Sequence, residues 1–284
     1  MLFLIYPIIR YNLIVKQIRN LPNRDRISVL IATILLAFTL AKFTNIPEQT
    51  INFQAVGIFI PLVINLNTVV ALLVTGMTAA GTDWLLRDHP NLGKRSTLPH
   101  WVLPAFSAWV IHVALSSLTV SPTWWLAFSL GGFLLLLVIV GEYVLLDTED
   151  IRHPIAELGL NALAYSLFLV MAVSLRSVDV RLFILLPALT IAVGMVSLRI
   201  LNIGLGEPWP IAQALVSLVV VSQFTAVLHY LPITPIGFGL LLLGLVYGIN
   251  TFIINLKDEE NIRKAAIEPL SVLLAIWLMA LVMR

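Results

Sequence analysis

Residues 124–146 read WWLAFSLGGFLLLLVIVGEYVLL, and Glu142 is their only charged side chain. A helix rises 1.5 Å per residue and the hydrocarbon core of a bilayer is about 30 Å thick, so roughly 20 apolar residues cross it. The stretch therefore predicts a membrane-spanning helix. Eight further runs repeat the pattern between charged or Pro/Gly punctuation: Ile27–Phe43, Pro61–Thr82, Trp101–Val120, Pro154–Leu175, Arg181–Asn202, Pro210–His229, Pro235–Leu256 and Ile262–Met283. The expected fold class is all-α, a polytopic transmembrane helix bundle of about nine spans.

Two of these runs need a further argument. Apolar sequence ahead of the second begins at Phe53, and about 30 residues would overshoot a straight span. Pro61, Asn65 and Asn67 are read as a break, with the residues before it lying along the outer interface. The ninth run is interrupted by Glu268-Pro269; its helix is expected to start near Ile262 with Pro269 as a tolerated kink.

The composition agrees. Of 284 residues 60% are hydrophobic and 11% charged, and the mean hydropathy is +0.99. Soluble domains carry about 25% charge, so a soluble globular domain, low-complexity disorder and a disulfide-stapled scaffold are excluded. The net charge of +2 spreads seventeen Lys and Arg over the whole chain, which argues against nucleic acid as a partner. There is no cysteine, and with it go thiolate nucleophiles, Cys-ligated zinc and iron–sulfur clusters.

Lys and Arg collect in alternate loops of a correctly counted bundle, on its cytoplasmic side. With the N-terminus inside, Arg10, Lys16, Arg19, Arg24, Arg26, Arg87, Lys94, Arg95, Arg152, Arg199, Lys257, Arg263 and Lys264 sort to one face, leaving Lys42, Arg176, Arg181 and Arg284 on the other. This pattern predicts a cytoplasmic N-terminus and an outside C-terminus. Residues 1–26 read as an amphipathic interfacial segment, since Arg10, Lys16 and Arg19 follow the apolar stretch and no cleavage site appears. Residues 27–284 form a single transmembrane domain. The expected location is a cell membrane, the cytoplasmic membrane of a prokaryote, with the lipid bilayer as the first partner.

Acidic residues follow the same asymmetry, with only Glu48 and Asp179 assigned outside. Within the charged face Asp83-Trp-Leu-Leu-Arg-Asp-His89-Pro90 and Asp147-Thr-Glu-Asp-Ile-Arg-His153-Pro154 form a near-repeat, of the kind a duplicated two-helix unit leaves. Asp83, Asp88, His89, Asp147, Asp150 and His153 supply oxygen and imidazole donors suited to a divalent cation such as Mg²⁺ or Mn²⁺, or to iron. The other reading is structural: Pro154 opens a helix, Asp150 or His153 helps cap it, and acids and bases neutralise one another.

Glu142 lies more than a turn inside its span. An acid there is either a functional residue, with Arg199 as partner, or one that reaches the near interface. Asn65, Asn67, Thr68, His112, Gln213, Gln223 and Asn250 are the other intramembrane polar groups, read either as cavity lining or as interhelical hydrogen bonds. Gly244 and Gly248 are spaced for close helix contact, and Trp101, Trp124, Trp125 and Trp209 stand at span ends where an interfacial belt would hold them.

Thr82-Asp83 through Asp88, then Lys94-Arg95 and Leu98-Pro99, sit after the second span of a nine-helix, acid-rich architecture. In that architecture the chain resembles the intramembrane aromatic prenyltransferases of the UbiA type, which hold Mg²⁺ and a diphosphate on two Asp-rich loops. Their Asn-Asp-x-x-Asp-x-x-x-Asp pattern is absent, and the loop Asn202–Pro210 offers only Glu207 for the second cluster. Two functions follow as expectations. One is a non-enzymatic carrier for a weakly charged or lipidic molecule, or a scaffold in a membrane complex with partner subunits. The other is a cytoplasm-facing, divalent-metal-dependent enzyme acting on a lipid or isoprenoid phosphate.

Overall fold

The computed structural model describes residues 22–44, 49–55, 58–64, 66–93, 96–259 and 261–283. The expected interfacial segment lies almost wholly outside them. The described residues hold nine helices long and apolar enough to cross a membrane. They are α1 Arg24–Phe43, α2 Leu66–Leu86, α3 Val102–Ser117, α4 Pro122–Leu145, α5 His153–Ser177, α6 Leu182–Leu205, α7 Ile211–His229, α8 Pro235–Asp258 and α9 Ile262–Val282. A 3₁₀ turn, Leu98–Trp101, leads into α3.

Between α1 and α2 the chain departs from an all-α reading. Strands β1 Gln49–Ala55 and β2 Ile58–Ile64 pair antiparallel, with Gln49 opposite Ile64 and Ala55 opposite Ile58. The run expected to begin a span at Pro61 is thus partly a strand, and α2 starts at Leu66 and continues to Leu86, beyond the expected Thr82. Aromatic and β-branched residues, dense in this segment, favour a pleated surface. Free strand edges are not tolerated against hydrocarbon, so the hairpin belongs outside the bundle's apolar belt.

Contacts at both ends show that successive helices alternate in direction. At the end rich in Arg and Lys, Arg26 of α1 pairs with Asp88 after α2, and Lys257 of α8 donates to the Leu205 carbonyl of α6 at 2.6 Å. At the opposite end Lys42 of α1 donates to the Leu118 carbonyl after α3 at 2.5 Å, and Thr234 before α8 donates to the Met283 carbonyl after α9 at 3.3 Å.

The interior has two main apolar cores sharing one helix. Phe106 and Val110 of α3 join Phe168, Leu189, Val193 and Phe238 of α5, α6 and α8. From the other side of α3, Ile111 and Leu115 join Ile34, Phe38, Leu85 and Ile139 of α1, α2 and α4. Residues three and four apart share a helix face, so 103, 106 and 110 serve one core and 108, 111 and 115 the other. Accordingly α3 is the most enclosed span, 61% buried, and α9 the least, at 17%.

The peripheral α9 is held to α8 by close backbone approach. A Cβ at Gly244 would meet Trp277 at 3.0 Å and one at Gly248 would meet Leu273 at 2.9 Å, which explains the glycine spacing. Pro269 deprives the carbonyl of Ala265 of its helical donor; Asn255 of α8 donates to that carbonyl at 3.4 Å and to Glu268 at 3.2 Å. One expected belt residue is reassigned: Trp124 is fully buried, donates to the Leu115 carbonyl at 3.2 Å and stacks on Phe128. A Pro122 start and Ser121 cap place it in the first turn of α4, facing the core. Trp125 and Trp209 are exposed.

Candidate functional site

At the charged end, where α4, α6 and the 3₁₀ turn meet, Glu142 is 0% exposed and Arg199 1%. Both helices run toward this end, so two side chains near their last turns come side by side. Arg199 donates from Nε to Glu142 Oε1 at 2.8 Å and from Nη2 to Oε2, a forked pairing. Its Nη1 donates to Asn202 Oδ1. Asn202 in turn donates to the Glu207 carbonyl at 2.6 Å. Gly206, at φ 67, ends α6 in the left-handed region and turns the chain back for that contact. The charge of Glu142 is therefore met inside the protein.

His100 completes the cluster and was not expected from the sequence. Its Nδ1 lies 2.8 Å from Glu142 Oε2 and 3.3 Å from Arg199 Nη2. A carboxylate oxygen only accepts, so the shorter contact requires the proton on Nδ1, which then donates to Glu142. The turn that places His100 is anchored by Thr97, whose hydroxyl donates to Asp83 Oδ1 at 2.6 Å, and Pro99 fixes its first residues. The one sequence signal was a histidine after proline, opening a span at the end where Glu142 closes another.

The two His-Pro segments approach each other but play different parts. His89 is buried, its ring 4.5 Å from that of Tyr143, and its Nδ1 accepts from the Asn91 N–H at 3.1 Å, so Nε2 carries the proton. Burial holds its pKa below the usual histidine value, against the pull of Asp147 and Asp150. Asp83 is held by Arg87 at 2.8 Å and by Thr97, and Asp88 by Arg26, whose guanidinium also lies over Trp84. Asp150 accepts from the Arg152 N–H at 2.8 Å and Nε at 3.0 Å. That guanidinium lowers the pKa of Asp150, whose carboxylate raises that of Arg152. Asp147 accepts from the Glu149 N–H, and His153 opens α5 just ahead of Pro154. No group of three or more His, Asp or Glu among the described residues is placed to hold a metal ion.

At the opposite end a pocket of about 380 Å³ opens between α2, α3, α5 and α6, along the seam between the two cores. Trp109, His112 and Ser116 of α3 line one wall, with Thr68 of α2, Ser174 of α5 and Ile184 of α6 around it. Thr68 and His112 are thus brought to one cavity. Asp179, at φ 49, makes the short turn that carries α5 into α6 at its rim. Asn250 instead accepts from the Ser217 hydroxyl at 2.7 Å, an α7–α8 link, while Asn65 and the side chain of Asn67 lie outside the described residues. Two further grooves, about 530 Å³ between α4 and α5 and about 360 Å³ between α7, α8 and α9, are walled almost wholly by apolar side chains.

Among the described residues, nine apolar helices around a buried ion pair and a seam pocket define a multi-pass membrane protein. Within that class the chain belongs to the family described as "Protein of unknown function (DUF5656)", whose pattern matches residues 46–283. No curated protein and no solved structure matches it.

Proposed function

We propose that the protein is a non-enzymatic carrier for a weakly charged or lipidic molecule, with its charged end in the cytoplasm. One observation carries this reading: along α3, a pocket between the two halves of the bundle opens at one end, while the Glu142–Arg199–His100 cluster closes the seam at the other. A carrier needs a cavity reached from one side and a closure that gives way on the other. Aqueous ion chemistry is not supported, because none of the described side chains in the pocket walls is charged. The metal-dependent enzyme reading has less support, since Asp83, Asp88 and Asp150 are each engaged by an arginine.

The absence of cysteine makes the test direct. Ser174→Cys, in the pocket, is labelled with a membrane-impermeant maleimide in right-side-out and inverted vesicles. The expected result is outside labelling in the parent chain and added cytoplasmic-side labelling when Glu142→Gln is combined with it. Labelling from one side only, unchanged by Glu142→Gln, overturns the carrier reading in favour of a fixed scaffold. A reporter fused after Arg284 is expected on the outside; a cytoplasmic signal overturns the orientation.

A further inference from the structure

We infer that the seam pocket binds an uncharged, ring-bearing amphipath whose head group exchanges hydrogen bonds with His112 and the neighbouring hydroxyls. This deepens the carrier reading and rests on it for the pocket's use. The argument begins with what the walls lack. None of the fourteen described lining side chains is Asp, Glu, Lys or Arg, and burying an ion without a counter-charge is far more costly than burying a hydrogen-bonded neutral group. A permanently charged head is therefore disfavoured.

The walls also select a shape. Trp109, His112, Val113 and Ser116 are spaced i, i+3, i+4 and i+7, a single stripe on α3. Trp109 is packed edge-on against Phe106, ring centroids 6.4 Å apart, and this contact holds the indole as one flat wall. Facing it are Met171 and Leu175 of α5 with Ile184 and Ala188 of α6. A planar body fits between the indole and this aliphatic side, and its tail follows the aliphatic surface. Three of the polar groups, His112, Ser116 and Ser117, stand on the α3 side, with Thr68 and Ser174 on other walls. Ser116 and Ser117 spend their hydroxyl protons on the carbonyls of Val113 and Ala114, at 2.8 and 2.7 Å. Their oxygens therefore present lone pairs to the pocket, and accept from a ligand hydroxyl.

The back of the site settles the sign of charge it tolerates least. His112 and Ser116 also line a void of about 20 Å³ shared with Lys42 and Trp124, room for about one water molecule. Lys42 is fixed there through the Leu118 carbonyl. Its ammonium disfavours a cationic head group.

Three probes with aliphatic tails of seven or eight carbons test this on the purified full chain in detergent: 4-octylphenol, octanoate and octyltrimethylammonium. Thermal stability is read against probe concentration. A saturable rise in Tm with 4-octylphenol is expected, with at least tenfold weaker apparent binding for the other two. The rise is expected to disappear in Ala188→Trp, which fills the pocket, and in Ala71→Phe, which fills it from the α2 wall should the first variant fold poorly. Equal or stronger stabilisation by octanoate or octyltrimethylammonium overturns the inference, as does a 4-octylphenol response that both filled variants retain. The two readings fail separately: selective phenol binding with one-sided Ser174→Cys labelling removes the carrier, whereas two-sided labelling without selectivity removes only the ligand class.

Discussion

Arg199 meets Glu142 through two N–H···O contacts, and less than a fiftieth of either side chain is open to solvent or lipid. Removing one member of such a pair leaves an uncompensated buried charge, at about 3–5 kcal/mol, whereas replacing both with apolar residues of similar volume is often close to neutral. Arg199→Met is therefore expected to lose stability on that scale, and Glu142→Leu with Arg199→Met to recover most of it. Unfolding in mixed micelles reads both. A single variant that loses under about 1 kcal/mol would show that the pair is not sealed from water.

The pH response follows from His89. Its folded pKa is depressed because burial disfavours the imidazolium, so the unfolded chain binds the proton more readily and stability rises with pH across the interval between the folded value and the ordinary one near 6.5. Acidification from pH 7 through that interval is expected to destabilise the protein, and His89→Gln to flatten the dependence there. Asp150, also depressed by Arg152, contributes only at lower pH: its stabilisation is present above the ordinary carboxylate value and lost as pH falls through the folded one. A parent and His89→Gln pair with parallel slopes between pH 7 and 5 would refute the assignment.

Asn255 and Pro269 are coupled through a carbonyl that neither owns. Because Pro269 has no N–H, Ala265 would lack a partner without Asn255. Asn255→Ala is expected to lose about 1 kcal/mol in the parent and clearly less in a Pro269→Ala background, where the helix supplies its own donor. Equal losses in the two backgrounds would mean that Asn255 acts elsewhere, through Glu268 for example.

What the sequence made legible was whatever hydropathy and charge encode. Apolar run length and the sorting of Lys and Arg yield the helix count, and Glu142 stood out because an acid inside a span is costly. Arg199 could be named beside it because α4 and α6 end at the same face. The hairpin was not legible in this way: an apolar strand and an apolar helix look alike to hydropathy, and only the density of Ile, Val and Phe over residues 51–64 hinted at strands. His100 and the seam pocket were hidden for a different reason. Both depend on which helices pack together, and a lone histidine in a short turn has no periodicity to place it. Trp124 shows the reverse error, in which a statistical preference for the interface yields to a specific packing position in the first turn of α4.

Gly248 marks a close approach of α8 to α9. A Cβ there would stand 2.9 Å from Leu273 Cδ1 and 3.6 Å from its Cβ, so a methyl group can be accommodated only if the leucine rotates, and a larger side chain must push the helices apart. Trp277, which donates to the Leu241 carbonyl at 3.1 Å, would be drawn away with α9. Overpacking of this kind typically costs about 1–3 kcal/mol. Gly248→Ala is therefore expected to be mild and Gly248→Leu to fall in the upper part of that range, with Leu273→Ala restoring part of the loss by making room. The measurement is unfolding in mixed micelles, with the fluorescence of Trp277 followed in a background where the other tryptophans are Phe. If Gly248→Leu is as stable as the parent, α9 is not held to α8 by backbone proximity.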